Sequence, residues 1–181
     1  MLIEDRALVV QFKSASTKEA AYTSLVKKYQ EKLYWHIRRM VVEHEDANDV
    51  LQNTFIKVWN GLGSFREDSQ LYTWLYRIAT NECLTFIDQI KKKSVVSFDD
   101  IAEDFGNKVQ ADANFDANRL EWKLQIAIQQ LPEKQRIVFN LRYYDEMPYE
   151  EMSTVLDTSV GALKASYHHA AKKIEEFIKN S

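Results

Sequence analysis

The sequence predicts an all-α protein: two small helical domains joined by an acidic linker. Glycine and proline are scarce, four and two among 181 residues, and sheet proteins rely on both for their turns. Apolar residues recur at helical spacing over long stretches, as in Tyr22, Leu25, Val26, Tyr29, Leu33, Ile37 and Met40. The period fails across residues 94–118, where Lys108 is outnumbered by Asp99, Asp100, Glu103, Asp104, Asp112 and Asp116. The expected boundaries are therefore 1–93, 94–118 and 119–181.

Each element has a local signal. Ser16 with Glu19 three residues later is a capping box, opening a helix that runs to about Val42. The EHED run at 43–46 breaks it, and a second helix covers about Asp46 to Asn60. GLGSF at 61–65 holds two of the four glycines and reads as a loop. A third helix spans about Ser69 to Lys92, with Leu71, Trp74, Leu75, Ile78, Ala79 and Phe86 on its apolar arc. Connections this short imply a bundle. Beyond the acidic stretch, a helix covers about 119–130. Another starts at Pro132, in the first-turn position, and turns Ile137, Val138, Leu141 and Tyr144 inward.

Residues 148–174 follow the helix-turn-helix pattern. Pro148 suits a first helical position, where its missing N–H costs nothing. Glu150 and Glu151 complement the helix dipole. Met152, Val155 and Leu156 form the buried side. Asp157 tolerates the left-handed backbone that a tight turn needs, and Ser159 is a good N-cap. The last helix sorts into two faces: Val160, Leu163, Tyr167, Ala170, Ala171, Ile174 and Phe177 on one, and Gly161, Ala162, Lys164, Ala165, Ser166, His168, His169 and Lys172 on the other. Small residues followed by cations are what a helix entering a DNA major groove requires.

Composition narrows the function. At 45% hydrophobic residues the chain can bury a core, and no apolar run approaches the ~20 needed to span a bilayer. The N-terminus lacks a basic start followed by a long apolar stretch, so no signal peptide is expected. With Cys83 the one cysteine, a cytoplasmic setting is expected. The net charge of -3 is unevenly placed: residues 1–93 carry 14 basic and 12 acidic groups, and residues 119–181 carry 9 of each. Neither end has the basic excess of a protein that grips DNA alone, which points to a reader whose grip another molecule supplies. Adjacent helical residues point about 100° apart, so His168 and His169 cannot chelate one ion. No metal or cofactor is expected. Without a glycine-rich phosphate loop, a serine elbow or paired carboxylates, neither is catalysis.

Three segments, in this order and spacing, resemble the extracytoplasmic-function class of bacterial RNA polymerase sigma factors: DANDVLQNTFIKVW (46–59), FREDSQLYTWLYRIATNECL (65–84) and the segment 131–175 containing the helix-turn-helix. The resemblance implies three sites. Asp46, Asp49, Gln52, Asn53 and Lys57 would dock on core polymerase, at a coiled coil of the β′ subunit, with β as a further contact. Arg66, Thr73, Trp74, Arg77, Thr80 and Asn81 would melt and read the minus-ten element, the loop Leu62–Asp68 accepting a flipped base. Ser159, Gly161, Lys164, Ser166, His168, His169 and Lys172 would read the minus-thirty-five element. It also implies promoter DNA and an anti-sigma factor as partners, and a linker threading the polymerase cleft. The chemistry is consistent, since unstacked bases need polar groups for their edges and platforms for their faces.

The chain departs from the family's pattern in places. Asn48 and Asn53 stand where acids are frequent, and Thr85, Asp88 and Gln89 replace an aspartate and an arginine pair. Ser166, His169 and Ala171 replace arginines of the recognition helix. Fewer arginines mean fewer bidentate guanine contacts, so weak duplex binding by the free protein is expected. Two other functions compete: a stand-alone helix-turn-helix regulator, which gives the Leu71–Leu84 segment no task, and a helical adaptor whose polar faces are merely solvated.

Overall fold

The computed structural model of the protein describes residues 3–41, 43–93 and 120–180. The predicted linker, 94–118, lies outside them. Among the described residues all regular structure is helical. In chain order the helices are α1 (Ile3–Lys13), α2 (Lys18–Val41), α3 (His44–Gly61), a 3-10 turn (Leu62–Ser64), α4 (Leu71–Lys93), α5 (Leu120–Gln129), α6 (Glu133–Tyr143), α7 (Tyr149–Leu156) and α8 (Val160–Asn180). The chain divides into two compact units, with the main boundary at Ile87–Asp88 inside α4 and Ser153–Asp157 grouped with the first.

In the N-terminal unit, α2 buries Leu25, Tyr29, Leu33, Ile37 and Met40 as its periodicity predicts. Its start differs from the predicted capping box. Thr17 is the cap residue, its carbonyl accepting from Ala21 N–H at 2.9 Å, while its hydroxyl donates to the Gln11 carbonyl at 2.7 Å. Helix α1 was not anticipated. Val9 and Phe12 pack inward, and the ring of Phe12 meets Trp59 edge-on at 5.3 Å. The Asp5 carboxylate is 1% exposed and accepts from the Tyr29 hydroxyl at 2.8 Å and Lys28 Nζ at 2.9 Å. Burial, followed by that carboxylate, pushes the Tyr29 phenol well above its ordinary range.

Helix α4 is buried along a wider and rotated arc. Leu71, Thr73, Leu75, Tyr76, Ala79, Thr80, Cys83 and Ile87 are buried, whereas Trp74, Ile78 and Phe86 are half-buried at its margin. Relative to the predicted stripe the packed side is turned by about one residue step, ~100°. The thiol of Cys83 is fully buried, and desolvation pushes its pKa far up.

The C-terminal unit gathers Ala127, Ile128, Leu131, Phe139, Ala170 and Ile174 into its core. Both prolines sit one position earlier than predicted. Pro132 and Pro148 are the residues whose carbonyls accept the first helical bonds, from Arg136 and Met152, each at 2.9 Å. Helix α6 is packed on more sides than its apolar spacing implied, with Arg136, Phe139 and Asn140 buried beside Ile137, Val138 and Leu141. The Arg136 guanidinium donates to Gln129 Oε1 at 2.8 Å, and burial lowers its pKa to about 10.

Candidate polymerase and promoter interfaces

Helix α3 buries Ala47, Val50, Thr54, Phe55 and Val58. Asp49, Gln52 and Asn53 are exposed on the opposite side, spaced as neighbours on one helix face. Ile56, 53% exposed, lies among them. Sequence reasoning missed this residue, although the spacing 49, 52, 53, 56 carries the signal. Asp46 and Lys57 belong to the flank: Asp46 is half-buried, and Lys57 pairs with Glu82 of α4. The outward face is thus carboxylate and amide groups around one aliphatic side chain.

The predicted minus-ten set is split by the rotation of α4. Arg77 and Asn81 are exposed, one turn apart. Thr73 and Thr80, by contrast, are 1% and 0% exposed, which removes both from direct contact with a strand. The Thr80 hydroxyl lies 2.9 Å from His36 Nε2, and the His36 ring tilts against Tyr76 at 4.9 Å. A threonine hydroxyl satisfied inside the bundle has the same sequence appearance as one facing water. Trp74 is neither core nor free. Its ring stacks obliquely on Phe65 at 5.2 Å. A Cβ at position 61 would fall 3.2 Å from its Cζ2, so Gly61 leaves the room that the indole fills.

Trp74 thereby braces the loop before α4. Leu62 and Phe65 of that loop are buried, while Arg66 and Asp68 face out. Helix α1 holds the loop from elsewhere: Lys13 Nζ donates to the Phe65 carbonyl at 3.5 Å, and Arg6 pairs with Glu67 at 3.4 Å. Glu67 itself has φ 62°, a conformation that costs a non-glycine residue energy and persists where surroundings fix it.

In the helix-turn-helix, Asp157 adopts φ 49°, the left-handed turn residue expected. Ser159 caps α8: its carbonyl accepts from Leu163 N–H at 3.0 Å and its hydroxyl from Ala162 N–H at 3.3 Å. Leu163, Ala170 and Ile174 are buried. Gly161, Ala162, Lys164, Ala165, His168, His169 and Lys172 are exposed, as is Ser159, and Ser166 is half-buried. The Lys164 ammonium lies over the Tyr149 ring at 5.7 Å, and the Arg142 guanidinium approaches that ring at 5.4 Å. These contacts hold one cation of the outward face beside the first residue of α7.

Among the described residues no group of three or more metal-ligating side chains converges, and no helix is long and apolar enough to cross a membrane.

Comparison with known proteins places two stretches of the chain in known families. The family model for sigma-70 region 2 matches residues 25–93, and that for sigma-70 region 4 matches 122–174. The RNA polymerase sigma-H factor of Pseudomonas aeruginosa is 32% identical, over 96% of this chain and 93% of its own. The ECF RNA polymerase sigma-E factor of Escherichia coli K12 is 34% identical with the same coverage. The fold is similar to that of CnrH, solved with the cytosolic domain of CnrY, with TM-score 0.72, 23% identity and coverage of 98% of this chain and 99% of that one. It is also similar to the sigma factor RpoE of Bartonella quintana, solved with the anti-sigma factor NepR, with TM-score 0.65, 22% identity and coverage of 87% and 96%. The chain belongs to the extracytoplasmic-function class of RNA polymerase sigma factors, the subunits that direct core polymerase to promoters.

Proposed function

We propose how this sigma factor divides its work among its residues. The outward face of α3, Asp49, Gln52 and Asn53 with Ile56 among them, docks on core polymerase. Arg77 and Asn81 of α4, with Arg66 and the braced loop before it, capture the opened minus-ten strand. Lys164, His168, His169 and Lys172 contact the minus-thirty-five duplex, with Gly161 and Ala162 leaving room for the DNA backbone. Residues 1–93 and 119–181 act as the two promoter-reading domains, and 94–118 as the linker between them.

The observation that carries this reading is the division of α8. One side holds the domain together through Leu163, Ala170 and Ile174, and the other is exposed, small at its start and cationic beyond. Base capture supplies the free energy of strand opening, and the chain itself catalyses nothing. It works beside polymerase in the cytoplasm. The two structural neighbours were solved with CnrY and with the anti-sigma factor NepR, which supports sequestration of this chain by an anti-sigma factor.

Run-off transcription with purified chain, bacterial core polymerase and pooled genomic fragments tests the reading. Discrete transcripts that require the chain are expected, and they should fall about tenfold with Arg77→Ala/Asn81→Ala and weaken with Lys164→Ala/Lys172→Ala. Undiminished transcripts from both double variants would refute the residue assignments.

A further inference from the structure

The outward face of α8 carries its positive charge in two forms. Lys164 and Lys172 are cations throughout the neutral range. Between them stand His168 and His169, and imidazole is the side chain whose charge changes between about pH 5 and 8. The face therefore holds two cations at the upper end of that range and four at the lower. An arginine at either histidine position would fix the charge instead. The chain's other histidines, His36 and His44, lie in the N-terminal unit.

Neither ring is engaged within the protein. Both side chains are exposed, their rings 6.0 Å apart and tilted by 58°. Among the described residues neither has a hydrogen-bond or ion-pair partner. One turn away along α8 the charged neighbours are Lys164, Lys172 and Lys173. The first carboxylates beyond them are committed elsewhere: Glu175 accepts from Lys179 at 2.5 Å, and Glu176 pairs with Lys172 at 3.9 Å. Helices α5 and α6 pack against α8, and Tyr149 of α7 meets Tyr167 edge-on. The carboxylates on those three helices are Glu121, Glu133, Glu150 and Glu151, with Asp157 in the turn; their cations are Lys123, Lys134, Arg136 and Arg142. None of these groups bonds either imidazole. A proton on either ring thus gains no anion from the described residues. A duplex supplies one, since it presents a negative charge about every 1.7 Å of its axis.

We propose that His168 and His169 take up protons as α8 enters the upstream duplex, so that the chain's grip on DNA tightens as pH falls. This rests on the reading of α8 as the duplex-contacting helix. The sign follows from linkage. Beside phosphates the imidazoles hold more protons than in the free chain, and the state that binds more protons gains as pH falls. Each proton taken up is worth up to about a tenfold change in affinity per pH unit. The two lysines hold the face to DNA at every pH near neutrality, and the two histidines make the strength of that hold conditional. Promoter engagement then responds to pH with no ligand and no second protein.

The test uses the full chain and a labelled random-sequence duplex of about twenty base pairs at low salt, because phosphate contacts do not depend on sequence. Fluorescence anisotropy between about pH 8 and about pH 6 should show wild-type affinity rising about tenfold or more. The dependence on salt should steepen by up to about 0.9 for each imidazole that gains a proton. His168→Gln/His169→Gln should lose the rise. His168→Arg/His169→Arg should bind tightly across the whole range, also without a rise. Circular dichroism at both ends of the range checks that each variant is folded. A rise retained by the glutamine variant would place the titration elsewhere and overturn the proposal. So would a flat wild-type profile while Lys164→Ala/Lys172→Ala still weakens binding, an outcome that leaves α8 as the duplex reader. Binding by that lysine variant equal to wild type at every pH would take α8 off the duplex, and the proposal would fall with that reading.

Discussion

Helices α4 and α8 are assigned the two halves of a promoter, and they are built in opposite ways. In α8 the outward residues are exposed apart from half-buried Ser166, and Leu163, Ala170 and Ile174 carry the packing from the other side. In α4 the segment assigned to strand capture is half inside the fold. Thr73 and Thr80 are buried, Trp74 is wedged between Gly61 and Phe65, and only Arg77 and Asn81 stand clear. The difference follows from the ligands. A duplex groove accepts a protruding helix, so the helix must offer a clean face. An extruded base must be enclosed, so the walls that receive it have to be held from behind.

The comparison fails if buried positions of α4 prove as dispensable to the fold as outward positions of α8. Thr80→Val should give the largest loss of stability. It leaves the His36 imidazole without its hydroxyl partner in a buried site, costing about 1–3 kcal/mol, read as a lower thermal midpoint by circular dichroism. Arg77→Ala/Asn81→Ala should leave that midpoint within about 0.5 kcal/mol of wild type, while run-off transcription falls about tenfold, equivalent to roughly 1.4 kcal/mol.

Smaller effects sharpen the contrast. Ser159→Ala removes the hydroxyl that caps α8 and should cost about 1 kcal/mol, so even a helix with a clean face depends on its first residue for support. Lys164→Ala should be silent in thermal melts. It should reduce the dependence of upstream-promoter binding on salt by about one unit of slope; a melting shift comparable to that of Thr80→Val would erase the distinction between the two helices.

Legibility in the sequence follows the same divide. The faces of α8 could be read from period alone, since one side packs and the other does not. The arc of α4 was placed about one residue step away. Threonine carries no hydropathy signal strong enough to reveal Thr73 and Thr80 as buried. Helix α1 escaped notice because its anchor is a carboxylate: Asp5 is buried through Tyr29 and Lys28, and residues of that kind are read as surface. Ile56 was left unassigned because an aliphatic side chain among polar neighbours belongs to neither the apolar stripe nor the polar set. Both prolines were displaced by one position because a cap residue and a first helical residue differ by a single torsion angle, which sequence does not record.

The burial of Cys83 has a practical side. It is the chain's one cysteine, fully enclosed in α4, with its thiol held protonated by desolvation. To a maleimide dye the folded protein is therefore a blank surface. A cysteine introduced at exposed Thr85 on α4, or at exposed Ala165 on α8, becomes the one reactive site without removal of the native thiol. Each reading helix can then carry its own spectroscopic label in an otherwise unaltered chain, so that strand capture and duplex engagement can be timed separately during a single round of initiation.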